Sequence, residues 1–259
     1  RKSLVGSEMC IRDRCRAESD RLAEILARSG LVTLPDAELR MRERPSCPRP
    51  QRFSTEYLVD REARSGTYFL GGPPSRGGDE ALASLRWGCF EQTWGGSHLF
   101  AFAAKDSGWR LPRRFCAAAS LTGAWSIYFR DRLGRMGLLE PEEWLQNLLS
   151  KRGAIERGLL DLDLHMGEIE ESEARVRLAD LPRSDATDLV RIARHPGDAL
   201  AGVIGWLLLV KARKQEEARI GAGFDERAFH DGLLGYGTIP LPLILEQELG
   251  SDLCQEIAA

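Results

Sequence analysis

Histidine is scarce in this chain: four stand in 259 residues, at positions 98, 165, 195 and 230, and each stands alone. No pair at helical spacing is available to grip an ion, so no spacing in the sequence by itself calls for zinc. The six cysteines, at 10, 15, 47, 89, 116 and 254, include no two with the short gap of a zinc knuckle or redox pair. They read as reduced, mostly buried thiols. Long apolar runs are missing as well: the longest, Val203 to Val210, falls well short of the ~20 residues that cross a bilayer. Charge of one sign never collects either. The 36 basic and 39 acidic residues are mixed along the chain for a net of −3, which argues against nucleic acid or anionic lipid as a partner. Gly-x-Ser-x-Gly elbows, phosphate-cradling glycine loops, dinucleotide fingerprints and internal repeats are all absent from the sequence.

What is present is material for a helical core, because 43% of the residues are apolar and little of the chain has the composition of a disordered segment. Leu22, Ile25 and Leu26 within Ala17 to Ser29 predict a short amphipathic helix stopped by Gly30. Prolines between Leu31 and Pro50 forbid a helix interior, and alternation around Leu39 and Met41 predicts a short strand; Thr67 to Leu70 predicts another. GGPPSRGGDE, from position 71, reads as a surface loop. Beyond it, helices are expected over Glu80 to Phe90, Ser97 to Lys105, Arg113 to Met136, Pro141 to His165, Ser172 to Ala179, Ser184 to Arg194, Gly197 to Ile220 and Glu226 to Leu234.

Pro141 followed by Glu142 and Glu143 is a helix start, since proline has no amide to leave unpaired there and carboxylates suit the positive end. His195-Pro196-Gly197 separates two helices, and His195 suits the negative end of the first. Leu200, Val203, Ile204, Leu207 and Leu208 form the expected core face of the second, before the solvated KARKQEEAR. The fold class expected is mainly α, a multi-helix domain with a few short strands in the N-terminal third.

Three C-terminal blocks stand out: RGLLDLDLHMG at 157–167, HPGDALAGVIG at 195–205 and FDERAFHDGLLGYGTIPLPLILEQ at 224–247. In order and spacing they resemble blocks of the bacterial family catalogued as domain of unknown function 885. There, an Asp-x-x-x-His run precedes Pro-Gly-Gln-Ala-x-x-Tyr and a Phe-His-Asp segment. Fainter likeness extends upstream through GLVTLPDAELRMRERP and SGTYF, to cover roughly Gly30 to the end. The resemblance implies a metallopeptidase-like helical fold, with a zinc signature His-Glu-x-x-Pro-Gly-His-His followed by Glu-Gly-Trp.

At the matching place this chain reads Phe90-Glu91-Gln92-Thr93-Trp94-Gly95-Gly96-Ser97-His98-Leu99, with Glu91 near the position of the general base and His98 near one ligand. Gly123 stands where the later Glu is expected, Asp198 for the Gln and Gly202 for the Tyr. The resemblance therefore implies zinc, while the residues supply no metal ligand set and no catalytic residue, and the expected cofactor is none.

The binding candidates are Glu91, His98, Arg157, Asp161 and His165. Asp161 and His165 share a helix face, where they either orient a ligand or form a helix-stabilising pair, and Arg157 lies one turn back. His98 reads as a relic ligand or a hydrogen-bonded buried residue, and His230 as packing. Trp87, Trp94, Trp109, Trp125 and Trp144 either line an apolar groove or belong to the core.

The reading is a degenerate zinc-peptidase-like protein without catalytic zinc, retaining a cleft for a peptide or protein partner. The alternatives are an active metallohydrolase with rearranged ligands such as Glu91, His98 and His165, and a structural domain supporting a missing N-terminal region. Residues 3–14, SLVGSEMCIRDR, resemble translated sequencing-adapter read-through, so 1–14 are expected to be foreign. Residues 15–259 are expected to form one domain, the later part of a longer one. If residues 1–14 are foreign, the true start is expected to lie outside the sequence, so the sequence points to no compartment and to no oligomeric state.

Overall fold

A computed structural model of the chain describes residues 8–43, 57–70, 79–104, 116–181 and 186–250, the side chains of 8–11, 79–84 and 186–187 apart. The chain is mainly helical and divides into two compact units, Arg1–Lys105 and Asp106–Ala259. Trp109, Cys47, Cys254 and the loop from position 71 lie outside the described residues.

In the first unit, α1 (Glu8–Ser29) starts within the adapter-like segment. Its buried stripe of Cys15, Ser19, Leu22 and Leu26 keeps one face of a helix and extends the expected Leu22 and Leu26 backwards. Gly30, at φ 67°, ends the helix in the left-handed region where glycine carries no steric penalty. Strands β1 (Glu38–Glu43), β2 (Tyr57–Asp60) and β3 (Ser65–Leu70) form a sheet in the order β1-β3-β2. β3 runs parallel to β1, Glu38 opposite Ser65, and antiparallel to β2, Tyr57 opposite Tyr68.

The sequence gives no sign of β2, because Leu58, Val59 and Asp60 are exposed and the pattern that marks a half-buried strand is missing. Its pairing comes from the tight turn instead. Arg64 holds φ 46° there, while its Nε and Nη2 donate to the Asp36 carbonyl at 3.0 and 2.8 Å. The helices α2 (Asp79–Gln92) and α3 (Ser97–Ala103) follow. Arg86 of α2 donates to Glu18 of α1 at 2.9 Å, and Cys15, Cys89, Tyr68 and Leu70 pack as one buried cluster.

In the second unit come α4 (Ala119–Arg135), α5 (Pro141–Met166), α6 (Glu171–Ala179), α7 (Ala186–Arg194), α8 (Asp198–Ile220), α9 (Glu226–Gly235) and α10 (Leu241–Leu249). α5 starts at Pro141 as expected, and the Glu143 side chain reaches back 3.0 Å to the Glu140 amide in a capping box. α4 begins later than the expected Arg113, since residues 116–118 are not helical and the Ala118 amide donates 3.0 Å to the Thr238 carbonyl.

The core face expected for α8 needs correction. Ile204 and Leu207 are more than 40% exposed, while the buried stripe runs through Gly202, Gly205, Leu208, Leu209 and Ala212. The cause is the closeness of α4: a Cβ on Gly205 would stand 1.9 Å from the Ser120 carbonyl oxygen, and one on Gly123 would stand 3.5 Å from the Gly202 Cα. Hydropathy favours leucine for a core, but the backbones come so close that Gly205 admits no side chain and the Gly123–Gly202 contact leaves room for little more than a methyl group.

α10 was not expected, because Pro240 and Pro242 obscure a helix that begins between them. Prolines are tolerated at a first turn, where their missing amides cost nothing, and Leu241, Ile244 and Leu245 bury its inner face. A second cluster, of Leu160, Ala174, Leu178, Leu189 and Ile192, joins α5, α6 and α7. Among the described residues, no helix is long and apolar enough to cross a membrane.

Candidate functional site

Asp161 is 1% exposed on α5, and its carboxylate meets the start of α8. Oδ1 accepts from the Gly197 amide at 3.0 Å, and Oδ2 from Ala199 at 3.1 Å and Leu200 at 3.4 Å. A helix start leaves its first amides unpaired and carries partial positive charge, so a carboxylate brought from a neighbouring helix satisfies both needs. Gly197 makes the approach possible at φ 83°, with Pro196 before it.

His165, one turn on, adds Nδ1 at 2.9 Å from Asp161 Oδ1 and 2.8 Å from the Asp161 carbonyl oxygen. Nδ1 must carry the hydrogen, because both of these oxygens are acceptors. Asp-x-x-x-His and Pro-Gly thus meet in space as one joint between α5 and α8.

Beside that joint lies a cleft of about 420 Å³ among α4, α5, α7 and α8. Gly123, Ile127, Ala154, Ile192, Ala199 and Gly202 supply its apolar surface, and Arg157, Arg191, His195 and Asp198 its polar one. Of the five nominated residues, Arg157 alone lines it. Arg157 donates from Nε and Nη2 to Oδ2 of the buried Asp188 at 3.1 and 2.9 Å, and Arg191 donates to Oδ1 at 3.0 Å. Sequence reasoning passed over Asp188, Arg191 and Asp198 as a set. The signal available was the three-residue spacing of Asp188 and Arg191 on one short helix.

His98 and Glu91 belong to the first unit. His98, on α3, is fully buried, with its ring between Trp94 and Phe102 at centroid distances of 4.5 and 5.1 Å. Nε2 lies 3.3 Å from the Ala37 carbonyl, which can only accept, so Nε2 carries the hydrogen and Nδ1 receives the Tyr57 hydroxyl at 2.5 Å. Both ring nitrogens are spent on the protein. Burial pushes the imidazole pKa down to about 4, against a smaller upward pull from the Ala37 carbonyl. Burial likewise pushes the Tyr57 hydroxyl well above its usual range. Gly66 of β3 seats the pair, because a Cβ there would stand 2.8 Å from His98 Nδ1 and nearer still to the Tyr57 hydroxyl.

Glu91 is half-buried on α2, and its backbone oxygen stands 2.1 Å from where a Gly96 Cβ would lie. Gly95 receives the Phe90 ring in the same way, so Gly95 and Gly96 serve a tight joint between α2 and α3. Among the described residues, no group of three histidine, cysteine, aspartate or glutamate side chains is placed to hold a metal ion. Both His98 nitrogens are engaged and the position expected to carry a Glu is Gly123, so among the described residues these two positions offer zinc no free donor.

Of the two readings of the tryptophans, groove or core, Trp125 takes the core: it is fully buried, its ring 5.0 Å from Phe129 and 5.5 Å from His230. Trp144 covers Gly134. His230 is fully buried, 2.7 Å from the Tyr128 hydroxyl, and its place is in the core of the second unit.

The sequence matches, over residues 7–249, the family described as bacterial proteins of unknown function, domain of unknown function 885. The chain belongs to this family. Among solved structures it is similar to a candidate lipoprotein of Colwellia psychrerythraea, at 19% identity and a TM-score of 0.74, covering 94% of this chain and 43% of that one. A candidate lipoprotein of unknown function from Shewanella oneidensis gives 19% identity and a TM-score of 0.65, over 92% of this chain and 45% of that one. At these identities the likeness is one of fold, and the chain spans less than half the length of either protein. No curated protein matches the sequence.

Proposed function

We propose that this member of the family of domain of unknown function 885 is a metal-free, non-catalytic relative of a peptidase-like scaffold, and that it binds a peptide or a partner segment in the cleft of the second unit. The observation that carries the metal-free reading is the commitment of both His98 nitrogens, one to Tyr57 and one to Ala37. A histidine in that state gives an ion nothing without breaking a buried hydrogen bond, at a cost of about 1–3 kcal/mol. Glu91 retains a carboxylate on α2, but the donors that would complete a site around it are lacking among the described residues.

The binding part of the reading is supported by Gly123 and Gly202. They bear no side chain at the two places where the family pattern has Glu and Tyr, and both line the cleft. Elemental analysis of the purified full chain, with a peptide-cleavage assay run with and without chelator, tests the proposal. The expected result is zinc far below one per chain and no chelator-sensitive cleavage. Zinc at one per chain with chelator-sensitive cleavage would overturn it in favour of a metallohydrolase with rearranged ligands.

A further inference from the structure

The cleft carries more charge than its own ion pairs consume. Arg157 comes from α5 and Arg191 from α7, and the two guanidinium groups share the single carboxylate of Asp188. One positive charge is left over. Among the described residues, Arg157 Nη1 and Arg191 Nε and Nη1 find no protein acceptor, so donors remain after the internal pairing. Asp188 and the packing around Arg157, whose side chain is 14% exposed, hold that guanidinium in place before any ligand arrives. A planar donor group fixed in this way suits a carboxylate.

Asp198, on the first turn of α8, supplies the opposite sign. Its side chain is 65% exposed, and the ion-pair partner it has among the described residues is His195, at 3.9 Å, outside hydrogen-bond range. A purely anionic ligand would be repelled by this carboxylate, and a purely cationic one by the arginine pair. A ligand with both charges and an apolar body meets both signs, and Ile127, Ala154 and Ile192 give the apolar body a surface in the same cleft. The volume of about 420 Å³ lies in the range of small-molecule sites and suits a very short peptide, not a folded segment.

We propose that the cleft recognises a short apolar peptide as a zwitterion, its terminal carboxylate on Arg157 and Arg191 and its terminal ammonium on Asp198. This rests on the reading of the cleft as the binding site, and it adds the class of ligand and the role of each charged residue.

The test is calorimetric titration of the full chain with Leu-Leu, its C-terminal amide, its N-acetyl form and the doubly blocked peptide. Arg191→Gln, Asp198→Asn and Ala154→Leu are run alongside, with folding checked by circular dichroism. Arg191 and Asp198 are mostly exposed, so their variants keep the fold. Leu-Leu is expected to bind at least ten-fold more tightly than either singly blocked peptide. R191Q should weaken Leu-Leu about ten-fold while leaving the amide unchanged, and D198N should do the same while leaving the N-acetyl form unchanged. Ala154→Leu, which enlarges a side chain that lines the cleft, should abolish all binding.

Equal binding of the doubly blocked peptide, still abolished by Ala154→Leu, would overturn the zwitterion while leaving the cleft as the binding site. Absence of binding by every peptide, or binding that ignores Ala154→Leu, would overturn both.

Discussion

The two regions nominated by the sequence differ in how they bury a polar group. At His98 the buried group is uncharged, a neutral imidazole that receives one hydrogen bond and gives one inside an aromatic cage. At Asp161 it is a carboxylate, compensated by three backbone amides and the His165 ring. Burying a charge is tolerable only with such compensation, whereas a neutral ring needs only its two partners. Residue types shared with catalytic sites are thus spent, in both places, on joining elements: β2 to α3 in the first unit and α5 to α8 in the second.

The comparison breaks most visibly at Asp161. Asp161→Ala leaves the α8 amides unpaired in a buried place and should cost about 3 kcal/mol in urea unfolding of the full chain. Amide exchange at Gly197 to Leu200 should accelerate with it. Asp161→Asn, which keeps an acceptor, should recover part of the loss.

Acid sharpens the contrast next. The folded pKa of His98 is near 4 and an unfolded histidine titrates near 6.5, so on acidification the unfolded chain takes the proton first. The contribution is whole above about pH 6.5 and is lost as the pH falls towards 4, up to about 3 kcal/mol. His98→Asn should remove that slope from stability measured between pH 7 and 4.

Tyr57→Phe comes third. It deprives Nδ1 of its donor at a cost of about 1–2 kcal/mol and raises the His98 pKa, which a histidine NMR titration reads directly. The smallest effect is expected at His165, whose side chain is 30% exposed. His165→Ala leaves the three amides on Asp161 intact and should cost less than about 1 kcal/mol in the same unfolding experiment.

The helices were legible where apolar periodicity and caps agree, as at Pro141, where proline and the paired glutamates mark the start and the expected end at His165 falls one residue short of Met166. β2 and α10 were not, because one is held by a turn and a neighbour and the other hides behind prolines. The buried face of α8 was misread for a different reason: close packing by Gly202 and Gly205 leaves no hydropathy signal. At the site, the four-residue spacing of Asp161 and His165 showed that they share a face, but not that the carboxylate reaches α8, since its partners are amides 36 to 39 residues away. The Tyr57 partner of His98, 41 residues away on an unforeseen strand, was equally invisible.

The metal-free account stands or falls on the two ring nitrogens of His98. Long-range ¹H–¹⁵N NMR of the histidine side chains at pH 7, before and after one equivalent of zinc, reads them directly. The account predicts a neutral ring with hydrogen on Nε2, unmoved by the ion. A stoichiometric zinc-induced shift at either nitrogen would contradict it.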